Sequence, residues 1–342
     1  MKILMFAHYF YPHIGGVERH IEELLEHLKG KEYSFKVITE KFDDNLKSVE
    51  HTEICDIYRI GYRKRKFLGL FEIWLSLLKL RKNIQEADII HIHDVFIWYL
   101  PFKFLFPKKP VFITFHGYES FPVTFKAKFI RKVAEQLTNG NICVGAFMKK
   151  WYGTKPNIVF YGGVNLNKFQ LSPSTNYEFD AIFSSRLDDQ TGIVTYLETV
   201  KLLKKKLKNF KFLVLGDGKY YKAAEKIGTV RGFVNDPSAY FKISKTAFVS
   251  RYLAILEAFA TKKLVFAVYD NLLKKDYLEM TPFSKWIVIE KNPSVLADKI
   301  CEYSKNPKKY DWMIDSAYKW VKKQTWEEVG RAYEKLWGVE TM

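Results

Sequence analysis

Short apolar runs alternate with helical periods along almost the whole chain, and that alternation leaves few folds open. Residues 2–7 read as a strand; Ile21, Leu24, Leu25 and Leu28 mark the buried stripe of a helix, and 35–39 read as the next strand. Further strand candidates follow at 89–92, 111–114, 142–144 and 158–161. The polar segment 167–177 interrupts the pattern with a proline and no period, as a linker would. The alternation restarts with 180–184, 212–215, 230–232, 247–249 and 264–268, with a helix through 196–207. Strand and helix in turn predict an α/β chain, with doubly wound parallel sheets covered by helices on both faces, here twice in tandem. Ligands of such sheets bind outside the carboxyl ends of the strands, so the cleft between two such domains is the expected site. Residues 306–336 read as terminal helices, with Trp312, Met313, Trp320, Trp326, Tyr333 and Leu336 as packing residues.

At 342 residues the chain has room for two domains with cores of their own, and a hydrophobic content of 48% excludes disorder. Lys and Arg number 55 against 38 Asp and Glu, and the resulting +17 points to an anionic partner: phosphate groups, nucleic acid or acidic lipid. Cys55, Cys143 and Cys301 lie far apart and form no CxxC, which suggests neither a disulfide framework nor a zinc site and makes a reducing cytosol the expectation. The first apolar run ends at His8, too short for a signal-peptide core. The stretches 67–80 and 95–106 fall short of the roughly 20 residues of a spanning helix, and Glu72, Pro101 and Lys103 interrupt them. A cytoplasmic protein, peripheral at most on the inner face of the cell membrane, is expected.

Several residues stand where chemistry would need them. Glu257 sits in the dense apolar segment 250–267, SRYLAILEAFATKKLVFA, where a charge needs either a partner in the fold or a ligand. Gly15 and Gly16 lie between the first strand and the first helix, a place for a tight turn or for close approach to an anion at the helix N-terminus. Their spacing is not GxGxxG, so no nicotinamide fingerprint is read. His116 follows the strand VFITF directly, either capping the strand end or facing a substrate. His91 and His93 share one strand face while Asp94 points away, which argues against a metal. Arg186 stands at a strand end before a helix, suited to a phosphate, and Gly216 and Gly218 form another strand-end turn.

The segments YPHIGGVERHI, ITFHG, GGVNLNKF, SRLDDQTG, LGDG, RGFV, SRYLAILEAFA and TWEEVGRAYEKLW, in this order, resemble the retaining, nucleotide-sugar-dependent glycosyltransferases of the GT-B family typified by sucrose synthase and the mycobacterial phosphatidylinositol mannosyltransferases. The resemblance implies two Rossmann-like domains facing each other across a cleft: an acceptor domain over 1–166, a linker over 167–177, a nucleotide-sugar donor domain over 178–312, and helices over 313–342 crossing back toward the first. It implies that Gly15 and Gly16 lie against the donor's diphosphate, that His116 hydrogen-bonds the donor sugar, and that Arg186 neutralises the diphosphate leaving group. Glu257 matches the second glutamate of the family's paired-glutamate motif, which holds the ribose hydroxyls. Gly216, Gly218 and Thr191 fall in the same donor site. The sequence departs from the pattern at Val249, eight residues before Glu257, where the first glutamate would stand, and the flanking match reads as a short deletion after Tyr252. Thr191 occupies the expected lysine position, Lys262 or Lys263 the expected glycine, and Gly162, Gly163, Val164 and Asn165 stand for Asn-Gly-Val-Asp. Lys262 and Lys263 are candidate replacements for the missing cation.

Two basic segments remain. Residues 61–82 carry Arg63, Lys64, Arg65 and Lys66 ahead of an apolar face of Phe67, Leu70, Phe71, Trp74, Leu77, Leu78 and Leu80, which fits a helix packed on the sheet or one lying in an anionic interface. Lys126, Lys128, Arg131 and Lys132 form the second set, and the two together are the candidate membrane or acceptor patch. The expected activity is retaining transfer of a hexose from a UDP- or GDP-linked sugar to a lipid-linked or cell-surface glycan acceptor, with no required metal. The alternatives are a catalytically silent GT-B scaffold that binds a glycan and, further off, a nucleic-acid-binding protein; no RRM, KH or HTH pattern supports the latter, and no nucleic-acid partner is expected.

Overall fold

A computed structural model describes residues 1–61, 68–169 and 176–339. Two compact units result: Met1–Phe160 together with Trp326–Met342, and Tyr161–Thr325. Arg63, Lys64, Arg65 and Lys66 lie outside the described residues.

In the first unit the described residues build an eight-stranded sheet from β1 (Lys2–Ala7), β2 (Ser34–Glu40), β3 (Val49–His51), β4 (Asp56–Ile60), β5 (Ile89–His93), β6 (Val111–Phe115), β7 (Gly140–Val144) and β8 (Ile158–Phe160). Their order is β3-β4-β2-β1-β5-β6-β7-β8, and every pair but β3 with β4 is parallel. Every residue of β5, β6 and β7 is buried. Helices on both faces cause this, which is why these strands read as mostly apolar rather than alternating, with His91, His93, Thr114 and Asn141 as buried polar exceptions. The helices used below are α1 (Gly16–Leu28), α2 (Leu68–Lys79), α3 (Phe96–Leu105) and α4 (Phe125–Leu137). Ile21, Leu24, Leu25 and Leu28 are the buried stripe of α1, as their spacing predicts. Strands β3 and β4 are additions to the expected pattern. Arg59 hides β4 from a hydropathy reading: it is buried, bonding the carbonyls of Lys47 and Tyr11 and pairing with Glu50 at 2.7 Å.

The helix Trp326–Trp337 belongs to this first unit and packs on α1. Trp326, Val329, Tyr333 and Trp337 recur every three or four residues and are all buried, so one stripe drives the docking. Buried Glu334 accepts from Lys31 Nζ at 2.7 Å and from the Tyr33 hydroxyl at 2.9 Å. Tyr333 reaches furthest, its hydroxyl 2.9 Å from both His20 Nε2 and Thr114 Oγ1.

In the second unit the described residues form a six-stranded, all-parallel sheet in the order β11-β10-β9-β12-β13-β14. Its strands are β9 (Phe179–Ser184), β10 (Phe212–Leu215), β11 (Thr229–Val230), β12 (Ser244–Phe248), β13 (Leu264–Val268) and β14 (Ile287–Glu290). Helices α5 (Ile193–Lys206), α6 (Tyr252–Ala260) and α7 (Leu272–Glu279) connect them, and α6 buries all of its residues but Leu253, as its dense apolar sequence requires. The helix Asp311–Val321 stays with this unit, because Met313 joins the core of Leu296 and Ile300. Each sheet reverses strand order once, between β1 and β5 and between β9 and β12, and these are the points where open α/β sheets receive ligands. Among the described residues no helix is long and apolar enough to cross a membrane.

Replacing Tyr333 with Phe keeps the ring but strands His20 and Thr114. The Tyr333→Phe variant should lose roughly 1–3 kcal/mol of stability in denaturant melts; a loss below about 0.5 kcal/mol would contradict this account of the helix docking.

Candidate functional site

In the first unit four imidazoles gather around β5 and β6: His20 of α1, His91 and His93 of β5, and His116 just after β6. Indole can only donate, so Trp337 Nε1 donates to His91 Nδ1 at 2.9 Å, and His91 Nε2 then donates to Thr114 Oγ1 at 2.8 Å. His93 Nδ1 lies 2.8 Å from His116 Nε2, while His93 Nε2 is buried with no hydrogen-bond partner. An unused acceptor costs less than a buried N–H with nothing to bond. The proton is therefore assigned to His93 Nδ1, which donates to His116 and leaves His116 protonated on its own Nδ1. Half-buried His116 thus presents an N–H donor, and its backbone N–H is held by the Asp94 carboxylate at 3.1 Å.

Burial drives all four imidazoles toward neutrality: His20 and His91 are pushed down to about 3, and His93 and His116 well below 6.5. Among the described residues no three His, Cys, Asp or Glu side chains converge as metal ligands. At the other expected element, Gly16 has open space around it, whereas Gly15 lies under the carboxylate of Glu18, which also pairs with His13 at 2.7 Å.

In the second unit the expected residues collect at the β9 and β12 ends. Arg186 is exposed just after β9 and pairs with Asp188 at 3.2 Å. The turn that carries it is fixed by backbone contact: a Cβ on Gly216 would stand 1.9 Å from the Ser185 carbonyl oxygen, and one on Gly218 2.8 Å from that of Leu187. Both glycines also have positive φ, +144° and +139°, so they are explained by the approach of two loops. Thr191 is buried and its hydroxyl donates to the Asp188 carbonyl at 2.9 Å, so it shapes the same turn. Glu257 is 3% exposed in α6, the helix that follows β12.

Two expectations need correction. Lys262 and Lys263 do not replace the missing cation, because they precede β13 and so stand at its amino end, away from Arg186. Lys263 is buried, its amine 4.3 Å from the centre of the Tyr177 ring and pushed down to about 8 by burial. Arg131 is not part of a surface patch: it is 5% exposed, stacks at 3.9 Å on Tyr152, and donates to the Gly117 carbonyl and to Glu119. It therefore braces the loop after His116, a role hidden in sequence because Glu119 and Tyr152 lie far along the chain. Lys132 is half-buried against Glu135. Lys126 and Lys128 are exposed beside Phe125 and Phe129. A separate concavity of about 680 Å3, lined by Tyr177, Lys211 and Gly228 among others, opens at the amino ends of β9 and β10, away from these residues.

Known proteins give the same picture. The profile described as Glycosyltransferase Family 4 matches residues 14–168, and that described as Glycosyl transferases group 1 matches residues 164–320. An uncharacterised glycosyltransferase of Methanocaldococcus jannaschii is 27% identical, over 98% of this chain and 99% of that one. Among solved structures, Anabaena HepE in complex with UDP and glucose superposes with a TM-score of 0.77 at 14% identity, covering 99% of this chain and 100% of its own. Sucrose-phosphate synthase of Thermosynechococcus elongatus gives 0.74 at 15%, with the same coverage.

The histidine cluster has a pH signature. A base whose folded pKa is depressed stays neutral in the fold while the unfolded chain takes up a proton below about 6.5, so stability is intact above that pH and is lost as pH falls toward 3. The slope is about 1.4 kcal/mol per pH unit for each such imidazole. Calorimetry at pH 5 in buffers of different ionisation enthalpy should find about three or more protons taken up on unfolding; uptake near zero would contradict the neutral cluster. With two parallel-sheet units of the GT-B type and two family profiles spanning residues 14–320, the chain belongs to the group 1 glycosyltransferases of the GT-B family.

Proposed function

We propose that this glycosyltransferase moves a hexose from a nucleotide diphosphate sugar, UDP- or GDP-linked, to a lipid-linked or cell-surface glycan acceptor with retention of configuration. The observation that carries the reading is the grouping of Arg186 and Glu257 on elements that leave β9 and β12, on either side of the strand reversal. Glu257, buried in α6, accepts the ribose hydroxyls. His116 donates from Nδ1 to the sugar, and Gly15 and Gly16 lie beside the donor's phosphates.

In the transfer step the acceptor hydroxyl attacks the anomeric carbon on the face from which the diphosphate departs. The bond from that carbon to the phosphate oxygen breaks, and the departing oxygen takes the acceptor's proton. The side chains then need only orient the donor and neutralise the leaving group, which is Arg186's part, so the reaction calls for neither a protein nucleophile nor a metal. The HepE complex with UDP-glucose supports a nucleotide sugar as donor class. A thermal-shift screen of UDP, GDP, ADP and their sugars should raise the melting temperature for at least one. Glu257→Ala should abolish that shift, and Arg186→Ala should lower transfer by roughly 100- to 1,000-fold. No shift with any nucleotide would overturn the reading.

We also propose that the acceptor side works at an anionic membrane surface. Support comes from three neighbouring helices of the first unit that leave large apolar side chains in solvent: Phe71 and Leu75 on α2, Phe104 on α3, and Phe125 and Phe129 on α4, the last two with Lys126 and Lys128 beside them. Apolar anchors among lysines suit an anionic interface, each lysine contributing about 1 kcal/mol. A variant with Phe125, Phe129, Lys126 and Lys128 all replaced by Ser should bind phosphatidylglycerol vesicles at least about tenfold more weakly. Equal binding by that variant, or no binding by the wild type, would remove the proposal.

A further inference from the structure

Two guanidinium groups flank the strand reversal of the second unit. Arg186 follows β9, and Arg251 follows β12 and precedes α6 directly. Arg251 Nη2 donates to Gln190 Oε1 at 3.0 Å, and Gln190 lies in the single 3-10 turn Asp189–Thr191 that comes just after Arg186. The two strand ends are therefore tied together, side chain to side chain.

Arg251 also stands on a rigid base. Lys274 of α7 is 2% exposed, and its amine donates to the Ser250 carbonyl, the one just before Arg251, at 2.5 Å. That amine is 4.2 Å from the centre of the Tyr277 ring, and Tyr277 stacks on Tyr252 at 3.9 Å while its hydroxyl accepts the Tyr252 N–H at 3.1 Å. The residues on either side of Arg251 are thus pinned by buried hydrogen bonds. Arg251 and Lys274 lie within Coulomb range of each other, with Asp188 and Asp270 as counter-charges. Two neighbouring cations repel in an empty site, and an anion placed among them reverses the sign of that interaction. Thr191 carries no charge, and its buried hydroxyl is turned to the Asp188 carbonyl.

We propose that Arg251, steadied by Gln190 and the Lys274–Tyr277 base, is the second cation that binds the donor's diphosphate, opposite Arg186. This rests on the nucleotide-sugar reading of the same site. Arg251 directly precedes Tyr252, the first residue of α6. Its planar fork suits two phosphate oxygens at once, which a lysine would meet only as a point charge. In the free protein Gln190 holds that fork toward the β9 end, so little ordering is left for the ligand to impose.

Isothermal titration of the full chain with UDP, GDP and ADP, and with uridine, guanosine and adenosine as phosphate-free controls, tests this. Arg251→Ala should weaken the nucleoside diphosphate that the wild type prefers by at least about tenfold while leaving the matching nucleoside within twofold. Gln190→Ala should weaken the same nucleotide by a smaller factor. If Arg251→Ala melts lower than wild type without ligand, Arg251→Gln, which keeps a polar side chain of similar reach, is measured in its place. Equal nucleotide affinity in the Arg251 variant overturns the inference and leaves the nucleotide-sugar reading intact. Equal losses of nucleotide and nucleoside also overturn it, since they locate the damage in the base or ribose contacts. If the wild type binds none of the three nucleotides, the donor reading falls first and this inference with it.

Discussion

The backbone of Gly216 and Gly218 lies so close to the Ser185 and Leu187 carbonyls that no side chain fits between them. That contact holds the β9 and β10 ends together and sets the turn on which Arg186 stands. Hydrogen bonds reinforce it: Ser185 N–H donates to the Leu215 carbonyl at 3.1 Å and Leu187 N–H to that of Asp217 at 2.8 Å. A site built this way needs little rearrangement to receive an anion. The cation is aimed by the main chain, and the main chain is locked by sterics rather than by flexible side chains.

The first unit solves a different problem. Its strand ends carry His91 and His93 where a parallel sheet expects aliphatic residues, and burying imidazoles is tolerable only when they are neutral and hydrogen-bonded. Trp337, Tyr333 and Thr114 supply most of those bonds, two of them from the C-terminal helix. The helix that completes the hydrophobic core thereby fixes the tautomer of His91 as well. His93, left with one unused acceptor, donates from Nδ1 to His116.

Much of this was legible in sequence where a feature has one physical cause. Apolar runs with helices between them mark β6 and β13, because parallel strands are buried on both faces. Arg186 stood out because a cation at a strand end before a helix has few other uses. What escaped notice depends on partners remote along the chain. Arg131 sits in a run of lysines and reads as surface charge, yet Glu119, Gly117 and Tyr152 bury it. Arg251 looks like an ordinary residue of a shortened motif until Gln190, 61 residues away, is seen beside it. Charge counted along a sequence cannot distinguish a buried brace from a solvated patch; the geometry of the partners does.

The central claim is that the second unit binds the donor at the carboxyl ends of β9, β12 and β13. Hydrogen–deuterium exchange of the full chain with and without saturating UDP-glucose and GDP-mannose measures this most directly, because a bound ligand suppresses local opening of the backbone it contacts. The account predicts protection over residues 185–192, 250–257 and 269–274 with at least one of the two donors. Protection absent there, or found instead over 176–179 and 225–229 around the concavity at the amino ends of β9 and β10, would contradict it.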